Sequence, residues 1–223
     1  QKLRLCSTLS RMEDTSRPQS EGTKLERKVS TKPRASNPFR MREIHEILPH
    51  LYLSGLSGAN DIDQLHSLGI KRILNMSEAS NLFEGMNMFL YKTIVTQDSE
   101  DERIDSHFDD AFAFIDEGRN QQENVLVHCL AGISRSASIV MMYLMRSQKL
   151  NLLDAYFFTR ERRAVIEPND GFRRLLIEHE RSLFGQVSLD PKDQWWPRHR
   201  EKKDPKTLTA AANTDKSTPG PTP

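Results

Sequence analysis

Residues 124–136 read NVLVHCLAGISRS, and this stretch decides how the chain folds. The apolar run at 125–127 is typical of a central strand that is covered on both faces. Such a strand delivers Cys129 into a tight turn that leads directly into a helix. Backbone N–H groups in a turn of this kind, or at a helix N-terminus, point inward and bind an anion. Gly132 lets the backbone curl where a Cβ would intrude.

The residues around this turn have the chemistry of a nucleophilic anion site. The helix end and the ring of N–H donors favour the thiolate of Cys129 over the thiol. Arg135 lies six residues further on, where its guanidinium fork can hold two phosphoryl oxygens. The Ser136 hydroxyl can donate to the sulfur when it leaves as thiolate, and His128 is predicted to orient the loop from beneath. The residues predicted to bind the anion are Leu130, Ala131, Gly132, Ile133, Ser134 and Arg135.

Each part of this pattern also has a plainer interpretation. A lone cysteine is most often a small buried hydrophobe, and a cysteine followed six positions later by an arginine can arise by chance. The combination of an apolar strand, His128, Gly132, Ser136 and a following helix argues against coincidence. Cys6 serves as a control, since Met12 lies six positions beyond it and no strand pattern surrounds it.

On both sides of the loop, apolar runs of strand length alternate with segments of helical period, which predicts an α/β fold. We expect a central, mostly parallel sheet flanked by helices. Asn151 has the chemistry of an N-cap, Asn169 or Asp170 can cap the last helix, and Gly185 suits its C′ position. The predicted strands are 43–48, 50–54, 72–76, 90–95 and 125–127, and the predicted helices are 62–68, 104–115, 136–146, 152–163 and 171–184.

One domain is predicted at 41–185, between tails at 1–40 and 186–223. Both tails are rich in polar residues and proline and have no helical or strand period, which predicts disorder. Trp195 and Trp196 interrupt the second tail, and they either pack back onto the domain or form a docking element. Because the chain begins with Gln1, we expect the natural N-terminus to lie further upstream.

The charge of the chain is unevenly distributed. Residues 1–40 carry ten bases and four acids, and residues 186–223 carry seven and five, so a formal net charge of +1 leaves −7 on the domain. A duplex-binding domain needs basic side chains massed on its folded surface, so no nucleic-acid partner is expected.

Membrane and disulfide classes are also disfavoured. No run of eighteen apolar residues and no secretory signal pattern occurs, so no membrane partner is expected. The only cysteines are Cys6 and Cys129, too few for a disulfide framework and without zinc spacing, so we expect no metal and a reducing compartment. The predicted location is cytoplasmic, extending to the nucleus. The sequence makes no prediction of the oligomeric state.

The motif H-C-x-x-G-x-x-R-S at 128–136 resembles the signature of the protein tyrosine phosphatase superfamily. SASIVMMYLM at 136–145, the helix around 112–116 and RRAVIEPNDGF at 162–172 resemble small dual-specificity phosphatases, and LFG at 183–185 is similar to their atypical members. The resemblance covers residues 42–185. It implies a fold of the cysteine-phosphatase type, a phosphoprotein substrate, a phosphocysteine intermediate, and no metal or cofactor. Activity on phosphotyrosine and on phosphoserine or phosphothreonine is implied by the resemblance alone.

Hydrolysis of a phosphate ester also needs an acid that protonates the leaving oxygen. Residues 96–105, TQDSEDERID, supply the candidates. The resemblance implies Asp98, with Asp101 as the alternative, although this acidic stretch could also be a solvated loop that caps the next helix. Asn169 either braces the catalytic loops or caps a helix.

Two other functions remain open at this point. The chain could be a phosphoprotein-binding scaffold that keeps the anion site but scarcely turns over substrate. It could also sense oxidants through the same thiol, although the only other cysteine, Cys6, lies on a tail predicted to be disordered.

Overall fold

A five-stranded sheet forms the centre of the domain in the computed structural model, which describes residues 42–189. The strand order is β1-β2-β5-β3-β4, with β1 antiparallel to β2 and the other pairs parallel. The predicted α/β class with a mostly parallel sheet is therefore confirmed. The strands are β1 (His45–Leu48), β2 (Leu51–Gly55), β3 (Ile70–Asn75), β4 (Leu90–Thr93) and β5 (Asn124–Cys129).

The central strand is β5, as the apolar run at 125–127 predicts. It pairs with β2 on one side, where Gly55 lies opposite Cys129, and with β3 on the other, where Asn75 lies opposite His128. All five predicted strands are present, and their ends differ from the predictions by at most two residues. The C-terminal ends of β2, β3 and β5 meet at one edge of the sheet, which is where ligands bind in open parallel sheets.

Helices cover both faces of the sheet. They are α1 (Leu56–Ala59), α2 (Ile62–Ser67), α3 (Phe108–Asn120), α4 (Arg135–Gln148), α5 (Leu152–Arg162) and α6 (Asp170–Phe184), and a 3-10 turn at Ile104–His107 precedes α3. The five predicted helices are confirmed. The single turn of α1 was not predicted, because four residues are too short to show a helical period.

The two faces have separate hydrophobic cores, which explains why β5 is apolar at three successive positions, 125–127. Val125 and Val127 pack into the larger core, formed with α3 to α6. Leu126 packs on the opposite side, in a smaller core that includes Leu65 of α2. Within the larger core, every residue of α4 from Arg135 to Met145 is buried, so the helix that follows the loop is held rigidly.

The predicted helix caps are present. The Asn151 side chain accepts a hydrogen bond from the backbone N–H of Asp154 at 2.8 Å. Of the two candidates for the last helix, Asn169 is the N-cap, and its Oδ1 accepts from the N–H of Phe172 at 2.9 Å. Gly185 ends α6 with a φ of 72°, the left-handed conformation expected at C′.

The chain stays packed for four residues beyond Gly185. The buried carboxylate of Glu180 accepts from the backbone N–H groups of Leu152 and Ser188, both at 2.8 Å, and Leu189 packs against the larger core. The predicted tail 1–40, Cys6, most of the predicted tail 186–223, Trp195 and Trp196 lie outside the described residues. The predicted domain boundaries therefore stay predictions. Within residues 42–189, no helix is long and apolar enough to cross a membrane.

Candidate active site

The loop between β5 and α4 is closed tightly against the end of β2. Gly132 has a φ of +67°, and a Cβ at this position would lie 2.3 Å from the carbonyl oxygen of Ser54. A Cβ on Gly55 would in turn lie 2.7 Å from the carbonyl oxygen of Ala131. Only glycine fits at such backbone contacts, so these two positions allow residues 130–134 to curl into a ring above the strand end.

The sulfur of Cys129 lies inside this ring. The residue is only 1% exposed, and its Sγ accepts hydrogen bonds from the N–H of Gly132 at 3.3 Å and from the Ser136 hydroxyl at 3.2 Å. Both donors stabilise a negative charge on sulfur. The structure therefore brings Ser136 to the sulfur, as the sequence predicts.

Arg135 is buried at the first position of α4. Its Nη1 donates to the carbonyl oxygen of Thr96 and to the carboxylate of Glu78, both at 2.8 Å. Its Nε is buried and has no hydrogen-bond partner in the described part of the chain, and it lies 3.8 Å from Oδ2 of Asp98. The protein thus fixes Nη1 of the guanidinium, while Nε is left to donate to a ligand.

Asp98 lies directly beside the loop. Its Oδ1 accepts from the hydroxyl of Ser134 at 2.6 Å and from the side-chain amide of Asn169 at 2.9 Å. Asp101, the alternative acid, is exposed, and no hydrogen bond between described residues joins it to the loop. The geometry therefore brings Asp98, and not Asp101, to the sulfur loop.

Asn169 both caps a helix and braces the loop that carries Asp98, the two roles that the sequence left open. Its Oδ1 caps α6, while its Nδ2 donates to Asp98 and, at 3.2 Å, to the carbonyl oxygen of Ser99. Next to it, a Cβ on Gly171 would lie 2.0 Å from the backbone oxygen of Glu100. The start of α6 thus packs closely on the loop that carries Asp98.

His128 precedes Cys129 at the end of β5, and it is only 2% exposed. Burial lowers its pKa to about 4, so the ring is neutral near pH 7. Its Nδ1 lies 3.4 Å from the carbonyl oxygen of Cys129, and its own carbonyl accepts from the N–H of Met76 at 2.8 Å. His128 therefore supports the strand end without adding a positive charge to the site.

Arg163 is a site residue that the sequence analysis missed. It is 0% exposed, and it donates through Nε to the carbonyl oxygen of Gly132 at 2.7 Å, through Nη2 to that of Ala131 at 3.1 Å, and through Nη1 to that of Glu43 at 3.1 Å. Burial lowers its pKa to about 10, with the negative charge of Cys129 acting in the opposite direction. Arg163 stays cationic at neutral pH and holds two carbonyl oxygens of the loop in place.

Glu78 was also missed. It follows the end of β3, and its carboxylate pairs with Arg135 at 2.8 Å. Hydrogen bonds from its own backbone N–H and from Arg135 lower the pKa of Glu78. Nothing in the local sequence NMSEAS distinguished this glutamate from an ordinary exposed acid.

A family model for the dual specificity phosphatase catalytic domain matches residues 51–182 of the chain. This chain belongs to the dual specificity phosphatases. The match contains the loop, Asp98 and Asn169, and the family resemblance drawn from residues 128–136 is confirmed.

The relatives of this dual specificity phosphatase extend well beyond the shared domain. The human dual specificity protein phosphatase 2 is 43% identical over 140 residues, which cover 62% of this chain and 44% of that protein. The human dual specificity protein phosphatase 7 is 42% identical over 139 residues, again 62% of this chain but 33% of the relative. The chain thus matches less than half of the length of these curated relatives.

One solved structure matches this chain over nearly the whole of its own length. It is the human tyrosine phosphatase-like serine/threonine/tyrosine-interacting protein, which is 35% identical, with a TM-score of 0.59, over 62% of this chain and 96% of that one. This likeness agrees with the cysteine-phosphatase type of fold.

Among residues 42–189, no group of three His, Cys, Asp or Glu side chains could hold a metal ion.

Replacing Arg163 tests its role as a positioning residue. In Arg163→Lys the compact ammonium cannot reach the three carbonyl oxygens that Nε, Nη1 and Nη2 of the planar guanidinium reach separately, so the loop should relax and its N–H groups should lose their alignment. We expect inorganic phosphate to bind about tenfold or more weakly, as measured by isothermal titration calorimetry. Arg162→Lys is the matched control, since Arg162 donates to Phe158 outside the loop. Equal phosphate affinity in both variants would contradict this role.

His128 should make the domain less stable in acid. The unfolded chain binds a proton on this ring near pH 6.5 and the folded chain only near pH 4, so the free energy of unfolding falls as pH drops between these values. The loss should reach about 3 kcal/mol. Urea unfolding from pH 7 to pH 4 should therefore show a steeper decline for the parent than for His128→Gln, and NMR titration of the ring gives a readout that needs no variant. A ring that titrates near pH 6.5 in the folded protein would refute this prediction.

Proposed function

We propose that this chain is a protein phosphatase that hydrolyses phosphotyrosine and phosphoserine or phosphothreonine through a phosphocysteine intermediate. The observation that carries the proposal is that three groups meet at one closed loop. Cys129 Sγ lies within the ring of backbone donors, the unpartnered Nε of Arg135 is buried beside it, and Asp98 is 3.8 Å from that Nε. The proposed catalytic domain spans residues 41–185.

The first step transfers the phosphoryl group to sulfur. The thiolate of Cys129 attacks phosphorus and forms the S–P bond, while the O–P bond to the substrate breaks and Asp98 protonates the departing oxygen. The inward amides and Arg135 bind the phosphoryl oxygens, on which charge collects in the transition state. Glu78 holds Nη1 of Arg135 and so fixes the plane in which its remaining donors meet the phosphate.

The second step releases inorganic phosphate. Water attacks the phosphocysteine, Asp98 accepts a proton from that water, and the S–P bond breaks to regenerate the thiolate. Ser136, whose hydroxyl lies 3.2 Å from Sγ, donates to the sulfur as its negative charge returns. No metal or cofactor takes part in either step of this proposal.

The alternative function is a phosphoprotein-binding scaffold, and a similar solved structure is named as an interacting protein. A scaffold of this kind needs the anion site but has no need of an acid. Here Asp98 has two hydrogen-bond donors that fix it beside the loop, which favours the enzyme. Turnover of para-nitrophenyl phosphate, measured with and without a chelator, separates the two functions and also tests for a metal requirement.

We further propose a phosphoprotein substrate in the cytoplasm and nucleus, with neither nucleic acid nor membrane as a partner. A reactive thiolate needs a reducing compartment to stay reduced. The net charge of −7 on the domain disfavours the phosphates of nucleic acids and of anionic lipids alike.

The nucleophile is tested with Cys129→Ser. A serine hydroxyl stays protonated in the same cradle, so turnover of para-nitrophenyl phosphate should fall below detection while inorganic phosphate still binds. Steady-state kinetics and calorimetry measure the two properties separately. Serine at the remaining cysteine, Cys6→Ser, is the control and should leave turnover unchanged. Hydrolysis by Cys129→Ser at the parental rate would refute the assignment.

The acid is tested by comparing leaving groups. Asp98→Ala should lower kcat/KM, which reports only the first step, by about 10²-fold or more for phosphotyrosine and phenyl phosphate, whose oxygen must be protonated on departure. The loss should be much smaller for an ester with a strongly acidic leaving group, such as difluoromethylumbelliferyl phosphate. Asp101→Ala is the matched control and should behave like the parent. If Asp101→Ala shows the leaving-group dependence and Asp98→Ala does not, the assignment is wrong.

A further inference from the structure

A group of acids lies on one side of the loop that holds Cys129, and we name Glu100, Asp101, Glu102, Glu167 and Asp170 the acidic rim. The backbone N–H of Glu167 donates to the carbonyl oxygen of Ile133 in the loop at 2.9 Å. The other members of the rim belong to the stretch after Asp98 and to the start of α6, which are joined through Asn169. The rim therefore lies on the surface that a bound phosphopeptide would meet.

Basic side chains only partly neutralise the rim. Arg173 pairs with Glu167 and, at 2.9 Å, with Asp170, while Arg174 pairs with Glu100 at 3.3 Å. Two arginines thus face five carboxylates. Asp98 and Glu78 add two more acids beside Arg135. The other cation at the loop, Arg163, is fully buried against the loop carbonyls, so the exposed mouth of the site has an excess of negative charge.

The base of the site, unlike its negatively charged mouth, calls for a negatively charged ligand. Arg135 has a side chain only 4% exposed, and its unpartnered Nε beside the ring of amides calls for an anion. Leu130 in the loop is 43% exposed, and Val95, which precedes the Thr96 that binds Arg135, is 64% exposed. Both offer apolar contacts to a bound chain. A ligand that fits all of these features has one phosphate to bury and little other negative charge near it.

We infer that the acidic rim selects phosphopeptides with basic residues flanking the phosphorylated side chain, and disfavours acidic or doubly phosphorylated peptides. This inference rests on the proposed phosphatase function and names the substrate class of that site. Opposite charges at this range attract a peptide during encounter and like charges repel it. The effect acts over about 10 Å at 0.1 M salt and weakens at higher ionic strength.

The test compares two phosphotyrosine hexapeptides that differ only in having two arginines or two glutamates beside the phosphotyrosine. For the parent we expect kcat/KM to be about tenfold or more higher for the arginine peptide at low salt, with the ratio shrinking as salt is added. Asp101→Lys should lower this ratio severalfold. Para-nitrophenyl phosphate has the phosphate but no flanking residues, so it reports any change of rate that is common to all substrates and that cancels in the ratio.

Asp109→Lys makes the same change of charge away from the site. Asp109 pairs with Arg146 near the far end of α4, about 16 Å along the helix from Arg135, so this variant should keep the parental ratio. Equal rates on both peptides, a preference for the glutamate peptide, or an equal effect of the two variants would overturn the inference while the phosphatase function stands. Failure to hydrolyse para-nitrophenyl phosphate and both peptides would instead overturn the proposed function.

Discussion

The close contact between the loop after β5 and the backbone of β2 is the constraint on which the site depends. Gly132 lies against the backbone of Ser54, and Gly55 lies against the backbone of Ala131. Neither contact leaves room for a side chain on the glycine. Because β2 and β5 are paired in parallel with Gly55 opposite Cys129, this contact lies directly beside the sulfur. Arg163 then binds two carbonyl oxygens of the loop, and the N–H of Gly132 donates to the sulfur. The electrostatic stabilisation of both the sulfur and the phosphoryl group is thus built into the backbone before substrate binds.

Local sequence patterns were sufficient to predict the strand before this loop and the helix after it. The apolar run at 125–127 predicted a strand buried on both faces, and its residues do pack into two different cores. The helical pattern after Ser136 predicted α4, and the chemistry of Asn151 and Gly185 predicted two of the helix ends. These features were predictable because each depends on residues within a few positions of one another.

The supporting residues could not be predicted in this way, because their partners are distant in sequence. Arg163 binds Gly132 and Glu43, which are 31 and 120 positions away, and in the sequence it is one of two adjacent arginines. Glu78 meets Arg135 across 57 positions. For Asn169, local chemistry predicted the cap, while the bond to Asp98 across 71 positions had to come from the resemblance. Only the packed fold brings these pairs together.

The central claim is that phosphate passes through the sulfur of Cys129 on its way to water. The most direct measurement is to mix the enzyme with excess para-nitrophenyl phosphate, quench within milliseconds, digest and locate the phosphate by mass spectrometry. The account predicts a transient phosphate on the peptide that contains Cys129, appearing before the steady state and disappearing when substrate is exhausted. Turnover with no phosphorylated peptide, or with phosphate on another residue, would contradict it.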